Sequence, residues 1–161
     1  QEQTTFQKVI QPEHVDQVIS DLKQPTQKIV FTNGCFDLIH PGHIRLFNEA
    51  KKMGDILIVA VNSDQSIKNL KGPSRPINSL KSRLEILNAF EMIDWIIVFD
   101  TNTPLSLIQT IKPDILVKGG DYTIEQIVGA TEVMASGGTV KVVPLLQGHS
   151  STKIIESINT Y

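Results

Sequence analysis

The sequence is poor in cysteine and in excess charge of either sign. Cys35 is the single cysteine among 161 residues, which excludes an internal disulfide framework and fits a reducing compartment. Lys and Arg number 15 against 17 Asp and Glu, for a net charge of −2. The chain therefore has no overall basic field to attract nucleic acid, and any anion-binding site must be local.

Long hydrophobic runs are also missing. The longest apolar run, Ile56–Val61, is far too short to cross a bilayer. The segment Gln1–Lys8 is polar and has no hydrophobic core of a signal peptide. The sequence therefore predicts a cytoplasmic protein that neither spans nor binds a membrane.

What the chain does contain is a series of short, apolar, β-branched runs. They do not alternate with polar residues, which is typical of strands buried on both faces of a parallel sheet. Helical segments separate them, so we expect a doubly wound α/β fold, a five-stranded parallel sheet in a three-layer sandwich. The five predicted strands are Lys28–Thr32, Ile56–Val61, Trp95–Phe99, Asp114–Lys118 and Val140–Leu145.

Residues 1–27 are predicted to form a helical lead-in to one domain over residues 28–161. A second helix is predicted over Gly42–Met53, with Ile44, Phe47, Ala50 and Met53 facing inward. Further helices are expected from near Ser79, from Thr103 as N-cap with Pro104 as the first helical residue, over Ala130–Ser136, and over residues 150–158.

The loop after the first strand is where a doubly wound sheet usually binds its ligand. It places His40 and His43 around Gly42 at the start of a helix. Free N–H groups at a helix N-terminus, together with two imidazole donors, would form a polyphosphate site. Half of a zinc site is an alternative, but no CxxC or HExxH accompanies the pair. A pair of surface or capping histidines without a function is the other alternative.

The stretch TNGCFDLIHPGH, residues 32–43, resembles the signature of the HxGH nucleotidyltransferases. This family includes cytidylyltransferases for glycerol 3-phosphate and phosphocholine, and adenylyltransferases for pantetheine phosphate and nicotinate mononucleotide. The resemblance implies that His40 and His43 contact the nucleotide phosphates and stabilise the transition state. It further implies a set of nucleotide-binding residues in this loop: Thr32, Asn33, Gly34, Cys35, Phe36 and Gly42.

A second stretch, Gly148–Ile154, resembles the Ser/Thr-rich turn that opens the last helix in this family. The resemblance implies phosphate binding by Ser150, Ser151 and Thr152, and the physics of a helix N-terminus agrees. An ordinary N-cap by Ser150 or Ser151 remains the alternative. The cytidylyltransferases have an arginine several residues before this turn, whereas Pro144–Gln147 has none, which argues against cytidylyl transfer.

Residues 65–84 contain five cations and no acid. Gly72, Pro73 and Pro76 predict a mobile loop that could close over a triphosphate and an incoming sugar phosphate. We expect catalytic roles for Lys71 and Arg75. Lys81 and Arg83 are expected on a solvated helix face.

Three further stretches, Val61–Asp64, Leu70–Asn78 and Val117–Tyr122, resemble the adenylyltransferases that make ADP-heptose. With the two phosphate motifs, the match covers residues 28–158. It implies ATP as donor, Mg²⁺ carried with ATP and no protein metal ligand, and D-glycero-D-manno-heptose 1-phosphate as acceptor. It also implies a stand-alone form, because no sugar-kinase domain is present. The implied additional nucleotide-binding residues are Asn62, Asp64, Lys118, Gly119, Gly120 and Asp121.

Two alternatives remain open at this point. One is the same chemistry, with ATP or CTP, on another small phosphate such as glycerol 3-phosphate. The other is a module that senses a nucleotide without turnover. A homo-oligomer, dimer or tetramer, is also predicted, because Ile96, Ile97 and their neighbours offer more apolar surface than one small sheet needs.

Overall fold

Five parallel strands form the centre of the fold, in the spatial order β3-β2-β1-β4-β5. This computed structural model describes residues 6–144, 155, 156 and 158. The predicted five-stranded doubly wound sheet is confirmed. The strands are β1 (Ile29–Gly34), β2 (Ile56–Asn62), β3 (Trp95–Phe99), β4 (Ile115–Gly119) and β5 (Thr139–Val143).

Six α-helices connect or precede the strands within the described part of the chain. Two short 3₁₀ turns, Pro12–His14 and Ile124–Gln126, accompany them. The helices are α1 (Val15–Leu22), α2 (Pro41–Lys52), α3 (Asp64–Lys71), α4 (Leu80–Asn88), α5 (Leu105–Ile111) and α6 (Ala130–Ala135).

The apolar strands bury side chains on both faces of the sheet, which is why their sequences show no alternation. In β1, Ile29 and Phe31 belong to the core layer that includes side chains of α1, α5 and α6. Val30 points to the opposite layer, which includes Leu46 and Phe47 of α2. The sheet is therefore covered on both sides, as a three-layer sandwich requires.

The lead-in covers the outer edge of the sheet. Val9 forms a parallel bridge with Ile96, and the Ile10 N–H donates to the Ile96 carbonyl at 2.9 Å. Ile10, Val15 and Ile19 are buried in the core. Residues 8–10 thus protect the edge strand β3 from pairing with other chains. The division of the chain at residue 27 stays a prediction.

The direction of winding reverses between β1 and β4, which are direct neighbours in the sheet. From β1 the chain continues to β2 on one side of β1, and it later returns to form β4 on the other side of β1. The carboxyl ends of these two strands therefore open the crevice in which such folds bind ligands.

The prediction of a loop from residue 65 onward is wrong in its first part. Asp64–Lys71 forms α3, and Ser63 caps it by accepting a hydrogen bond from the Ser66 N–H at 3.1 Å. Ile67 of this helix is fully buried. Lys71 therefore lies in the last turn of a helix, and the non-helical segment begins at Gly72.

Two smaller predictions also need correction. Ile44 of α2 is 39% exposed, and Leu46 takes the buried place instead. Helix α5 begins at Leu105 with Pro104 as its N-cap, one residue later than predicted. Thr103 precedes the cap, and its Oγ1 accepts from the Leu105 N–H at 3.5 Å.

The second phosphate motif lies outside the described residues, and so do Ser150, Ser151 and Thr152. Of the predicted last helix, residues 155, 156 and 158 are described and are helical. Across the described parts of the chain, no helix is long and apolar enough to span a membrane.

Candidate active site

Two adjoining cavities open at the carboxyl ends of the strands. The first, of about 250 Å³, is bordered by His40, His43 and Arg75, and we call it the cationic lobe. The second, of about 410 Å³, is bordered by Asn102 and Gln126, and we call it the amide lobe. Six residues line both lobes, so the two form one continuous cleft: Asn33, Gly34, Cys35, Lys71, Lys118 and Tyr122.

The two histidines are fixed by the start of α2. His40 is the N-cap residue, and its Nδ1 accepts from the Gly42 N–H at 3.1 Å. His43 Nδ1 accepts from the His40 N–H at 3.3 Å. Because the Nδ1 atom of each ring acts as an acceptor, the neutral form of either ring carries its proton on Nε2. The two ring centroids lie 3.9 Å apart at the edge of the cationic lobe.

His43 is neutral at physiological pH. Burial, as the largest cause, and the nearby His40 and Lys71 together lower its pKa to about 4. The Phe36 ring packs edge-on against His43 at 5.4 Å. A neutral ring that carries its proton on Nε2 can donate one hydrogen bond to a phosphoryl oxygen.

The lowered pKa of His43 makes the free energy of unfolding depend on pH. The unfolded chain binds a proton at this histidine near pH 6.5, whereas the folded chain binds it only near pH 4. We therefore expect the free energy of unfolding to fall as pH drops from about 6.5 to about 4. Urea unfolding across this range measures the slope, which His43→Asn should reduce. An unchanged slope in that variant would contradict the assignment.

Asp37 organises the segment that follows α3. Its carboxylate, 1% exposed, accepts hydrogen bonds from Arg75 Nε at 2.9 Å, the Ile77 N–H at 2.9 Å and the Asn78 N–H at 2.8 Å. Burial alone would raise the pKa of Asp37, but these three donors outweigh it and lower the pKa. Arg75 is thus held in place and is not part of a freely mobile loop.

Arg75 has a guanidinium nitrogen that could bind a ligand. Its side chain is 11% exposed, and Nη2 is buried without a hydrogen-bond partner. A buried, unpaired guanidinium nitrogen is costly, so an anion in the cationic lobe, which Arg75 lines, would relieve that cost. This observation supports the predicted role of Arg75.

The turn after β4 brings backbone and a lysine to the cleft. Burial lowers the pKa of Lys118, Cys35 opposes the shift and the charge of Lys71 adds to it. Lys118 Nζ lies 5.4 Å from the centre of the Tyr122 ring. A Cβ on Gly119 would lie 3.2 Å from Leu46 Cδ2, so glycine lets the strand end pass close to α2. Gly120 and Asp121 do not line either lobe.

The sequence predicted that Arg83 lies on a solvated helix face, and this prediction is wrong. The Arg83 side chain is fully buried, and Nη2 donates to Asp64 Oδ1 at 2.7 Å. Arg83 is one of the three buried residues of α4, together with Leu84 and Leu87. Asp64 is engaged with Arg83, and it lines neither lobe.

Of the remaining predicted residues, Asn62 and Gly42 line the cleft, whereas Thr32 is buried. Thr32 is fully buried, and its Oγ1 has no hydrogen-bond partner. Asn62 lines the amide lobe, and its Nδ2 donates to Ser66 Oγ at 2.8 Å. Gly42 lines the cationic lobe beside the histidines.

Sequence reasoning missed three polar residues of the amide lobe, Asn102, Thr103 and Gln126, and it gave no separate role to the Tyr122 side chain. Asn102 and Thr103 follow β3, and Tyr122 and Gln126 follow β4. Their position after parallel strands was a usable signal, because such strand ends meet at one edge of the sheet. Within the described ranges, no cluster of three or more His, Cys, Asp or Glu side chains could hold a metal ion.

Comparison with known proteins agrees with this geometry. The family model described as cytidylyltransferase-like matches residues 31–157. Two similar curated proteins, each named bifunctional protein HldE, come from Marinomonas sp. and Haemophilus ducreyi. Each is 52% identical, over 94% and 93% of this chain respectively. The chain spans only 32% of the length of either relative.

Two solved structures share the fold. A lipopolysaccharide core biosynthesis protein from Thermoplasma volcanium is 30% identical with a TM-score of 0.59, over 74% of this chain and 97% of that one. A pantoate-beta-alanine ligase from Francisella tularensis has a TM-score of 0.66 at 18% identity, over 94% of this chain and 76% of that one, and shows the fold alone. With the matching family model and the Thermoplasma relative, the chain belongs to the cytidylyltransferase-like family.

Proposed function

We propose that this chain is an adenylyltransferase that transfers AMP from ATP to D-glycero-D-manno-heptose 1-phosphate, giving ADP-heptose and pyrophosphate. The observation that carries the proposal is the continuous cleft, which has the HxGH histidines and Arg75 at one end and amide side chains at the other. The motif resemblance to ADP-heptose-forming adenylyltransferases and the likeness to a lipopolysaccharide core biosynthesis protein support the choice of sugar.

The chemistry needs no general base, because the acceptor phosphate is already an anion at neutral pH. One of its oxygens attacks the α-phosphorus of ATP in line, and the bond from that phosphorus to the β-phosphate oxygen breaks. His40 and His43 donate hydrogen bonds to the α- and β-phosphates as charge moves onto the leaving group. Lys71 and Arg75 clamp pyrophosphate or the sugar phosphate, so catalysis is positioning and charge stabilisation.

ATP fits the cationic lobe. The Thr32–Phe36 backbone holds the α-phosphate, and the turn from Lys118 to Tyr122 borders adenine and ribose. We assign the β- and γ-phosphates to Ser151 and Thr152 of the second phosphate motif, and we include Ser150 among the nucleotide-binding residues. Mg²⁺ is carried mainly by the triphosphate, whose charge it offsets, because this ion often takes few protein ligands.

The sugar fits the amide lobe. Its lining includes four neutral side chains that can donate and accept hydrogen bonds: Asn62, Asn102, Thr103 and Gln126. Such groups can bind the hydroxyls of a polyol, and apolar side chains such as Leu70, Phe99 and Val128 complete the lining. Lys71 and Lys118 line the junction of the lobes, where the acceptor phosphate must meet the α-phosphate.

Asn102→Ala tests the placement of the sugar. Loss of one hydrogen bond to a hydroxyl should raise KM for the sugar phosphate about tenfold, which corresponds to about 1.4 kcal/mol. KM for ATP should not change. Gln109→Ala is the matched control, because this exposed amide lies on α5 and lines neither lobe. A larger change in KM for ATP than for the sugar would contradict the placement.

Isotope transfer tests the reaction itself. With ATP labelled at the α-phosphate, Mg²⁺ and the heptose 1-phosphate, we expect the label in ADP-heptose. Label at the γ-position should leave as pyrophosphate. ATP binding without any transfer would refute the proposal and support a sensor module, and transfer of the γ-label to the sugar would refute attack at the α-phosphorus.

A further inference from the structure

Arg83 makes four hydrogen bonds although no solvent reaches it. Nε donates to the Asn78 carbonyl at 3.2 Å, and Nη1 donates to the Cys35 carbonyl at 2.8 Å and the Asn62 carbonyl at 2.7 Å. Nη2 completes the set with the Asp64 carboxylate at 2.7 Å. Removing a guanidinium from water is costly, and a well-packed apolar side chain often serves stability as well or better.

The four partners of Arg83 come from four different segments around the cleft. Cys35 belongs to the loop after β1, and Asn62 ends β2. Asp64 opens α3, and Asn78 ends the segment that carries Arg75. Arg83 lines neither lobe, so any effect on a ligand must pass through these partners.

A short path of hydrogen bonds leads from Arg83 to the unpaired nitrogen of Arg75. Arg83 fixes the Asn78 carbonyl, and the Asn78 side chain donates to the Asp37 carbonyl at 2.7 Å. The Asp37 carboxylate then holds Arg75 Nε at 2.9 Å. The same guanidinium also fixes the Cys35 carbonyl, next to the phosphate-binding backbone.

We infer that Arg83 is a positioning residue, which sets the distance between the loop after β1 and the segment 72–79 and so places Arg75 Nη2 against its anion. This inference rests on the proposed function, since it takes the anion to be a substrate or product of that reaction. A misplacement of about 1 Å can cost about 10²-fold in rate. Arg83→Lys keeps the charge but cannot reach all four partners, so kcat should fall about 10- to 100-fold.

A double-mutant cycle distinguishes positioning from a merely structural role. Dissociation constants for pyrophosphate and for heptose 1-phosphate are measured by calorimetry for wild type, Arg83→Lys, Arg75→Gln and the double variant. At least one constant should rise in Arg75→Gln. For that ligand, the double variant should bind within about twofold of Arg75→Gln alone. Lys81→Ala, an exposed change on the same helix, should leave both constants unchanged.

Two outcomes would contradict the inference. Multiplicative losses in the double variant would show that Arg83 acts independently of Arg75, and two unchanged constants in Arg75→Gln would show that Nη2 binds neither anion. If Arg83→Lys does not fold, Asp64→Asn replaces it, because the Asp64 side chain is 42% exposed, and the same non-additivity is required. These titrations need no turnover, so a wild type that fails to transfer label defeats the proposed function while the cycle still decides the inference.

Discussion

Replacing His43 by alanine is expected to lower kcat for pyrophosphate release about 10²- to 10³-fold, as for loss of one preorganised donor to a developing charge. The ring is held by the His40 N–H through Nδ1, which leaves Nε2 to carry the proton. Its pKa of about 4 keeps it neutral and ready to donate. Initial-rate kinetics at saturating ATP and sugar phosphate measure the effect.

Two further variants test the role of His43. His43→Asn offers an amide oxygen to the His40 N–H but has no donor at the Nε2 position, so it should lose as much kcat as the alanine variant. His14→Ala changes an exposed histidine in a 3₁₀ turn away from the cleft and should keep wild-type kcat. A wild-type kcat in His43→Ala would contradict the role of His43.

Asp37→Asn is expected to destabilise the fold by about 3 kcal/mol, as for a buried ion pair that loses one partner. The amide presents an NH₂ group where three N–H donors now point at carboxylate oxygens. Arg75 also loses its counter-charge, so kcat/KM should fall. Urea unfolding measures the stability, and Asp16→Asn, an exposed change on α1, should stay within about 0.5 kcal/mol of wild type.

The loss of folding stability caused by Asp37→Asn should depend on pH in one direction. The pKa of Asp37 is lower in the folded chain than in the unfolded chain, so the carboxylate stabilises the fold above its unfolded pKa. This contribution is lost as pH falls through the lowered pKa. The difference in stability between wild type and Asp37→Asn should therefore shrink in acid, and a difference that grows in acid would contradict the role of Asp37.

Local patterns in the sequence were enough to predict the sheet and the loop at its centre. Apolar runs without alternation indicated the five parallel strands, and the position of His40 and His43 before a helix placed them in the cleft. Helix α3 was missed because Gly72 and Pro73 favoured a loop for the whole segment, although Ser63 and Asp64 begin a helix with an N-cap and an acidic first turn.

The residues that the sequence could not place depend on long-range contacts. Arg83 looks like any exposed helical cation until α4 packs its face against the loop after β1 and the end of β2. Asp37 meets Arg75, Ile77 and Asn78 about forty positions later in the chain. No local pattern in the sequence predicts such long-range pairings. Even the inward face of a helix can be misjudged, as the exposed Ile44 shows.

The curated relatives are much longer than this chain. It covers about a third of the length of the bifunctional HldE proteins that it resembles. The homo-oligomeric state and the cytoplasmic location stay predictions.

Pyrophosphate release tests the proposed adenylyl transfer most directly. ATP, CTP and GTP are supplied in turn with Mg²⁺ and D-glycero-D-manno-heptose 1-phosphate in each anomeric form, with glycerol 3-phosphate as the control acceptor. We expect release with ATP and one heptose anomer only. Pyrophosphate release that requires another nucleotide or acceptor would contradict the proposed substrates. If no combination released pyrophosphate although ATP binds, the proposed reaction would be contradicted.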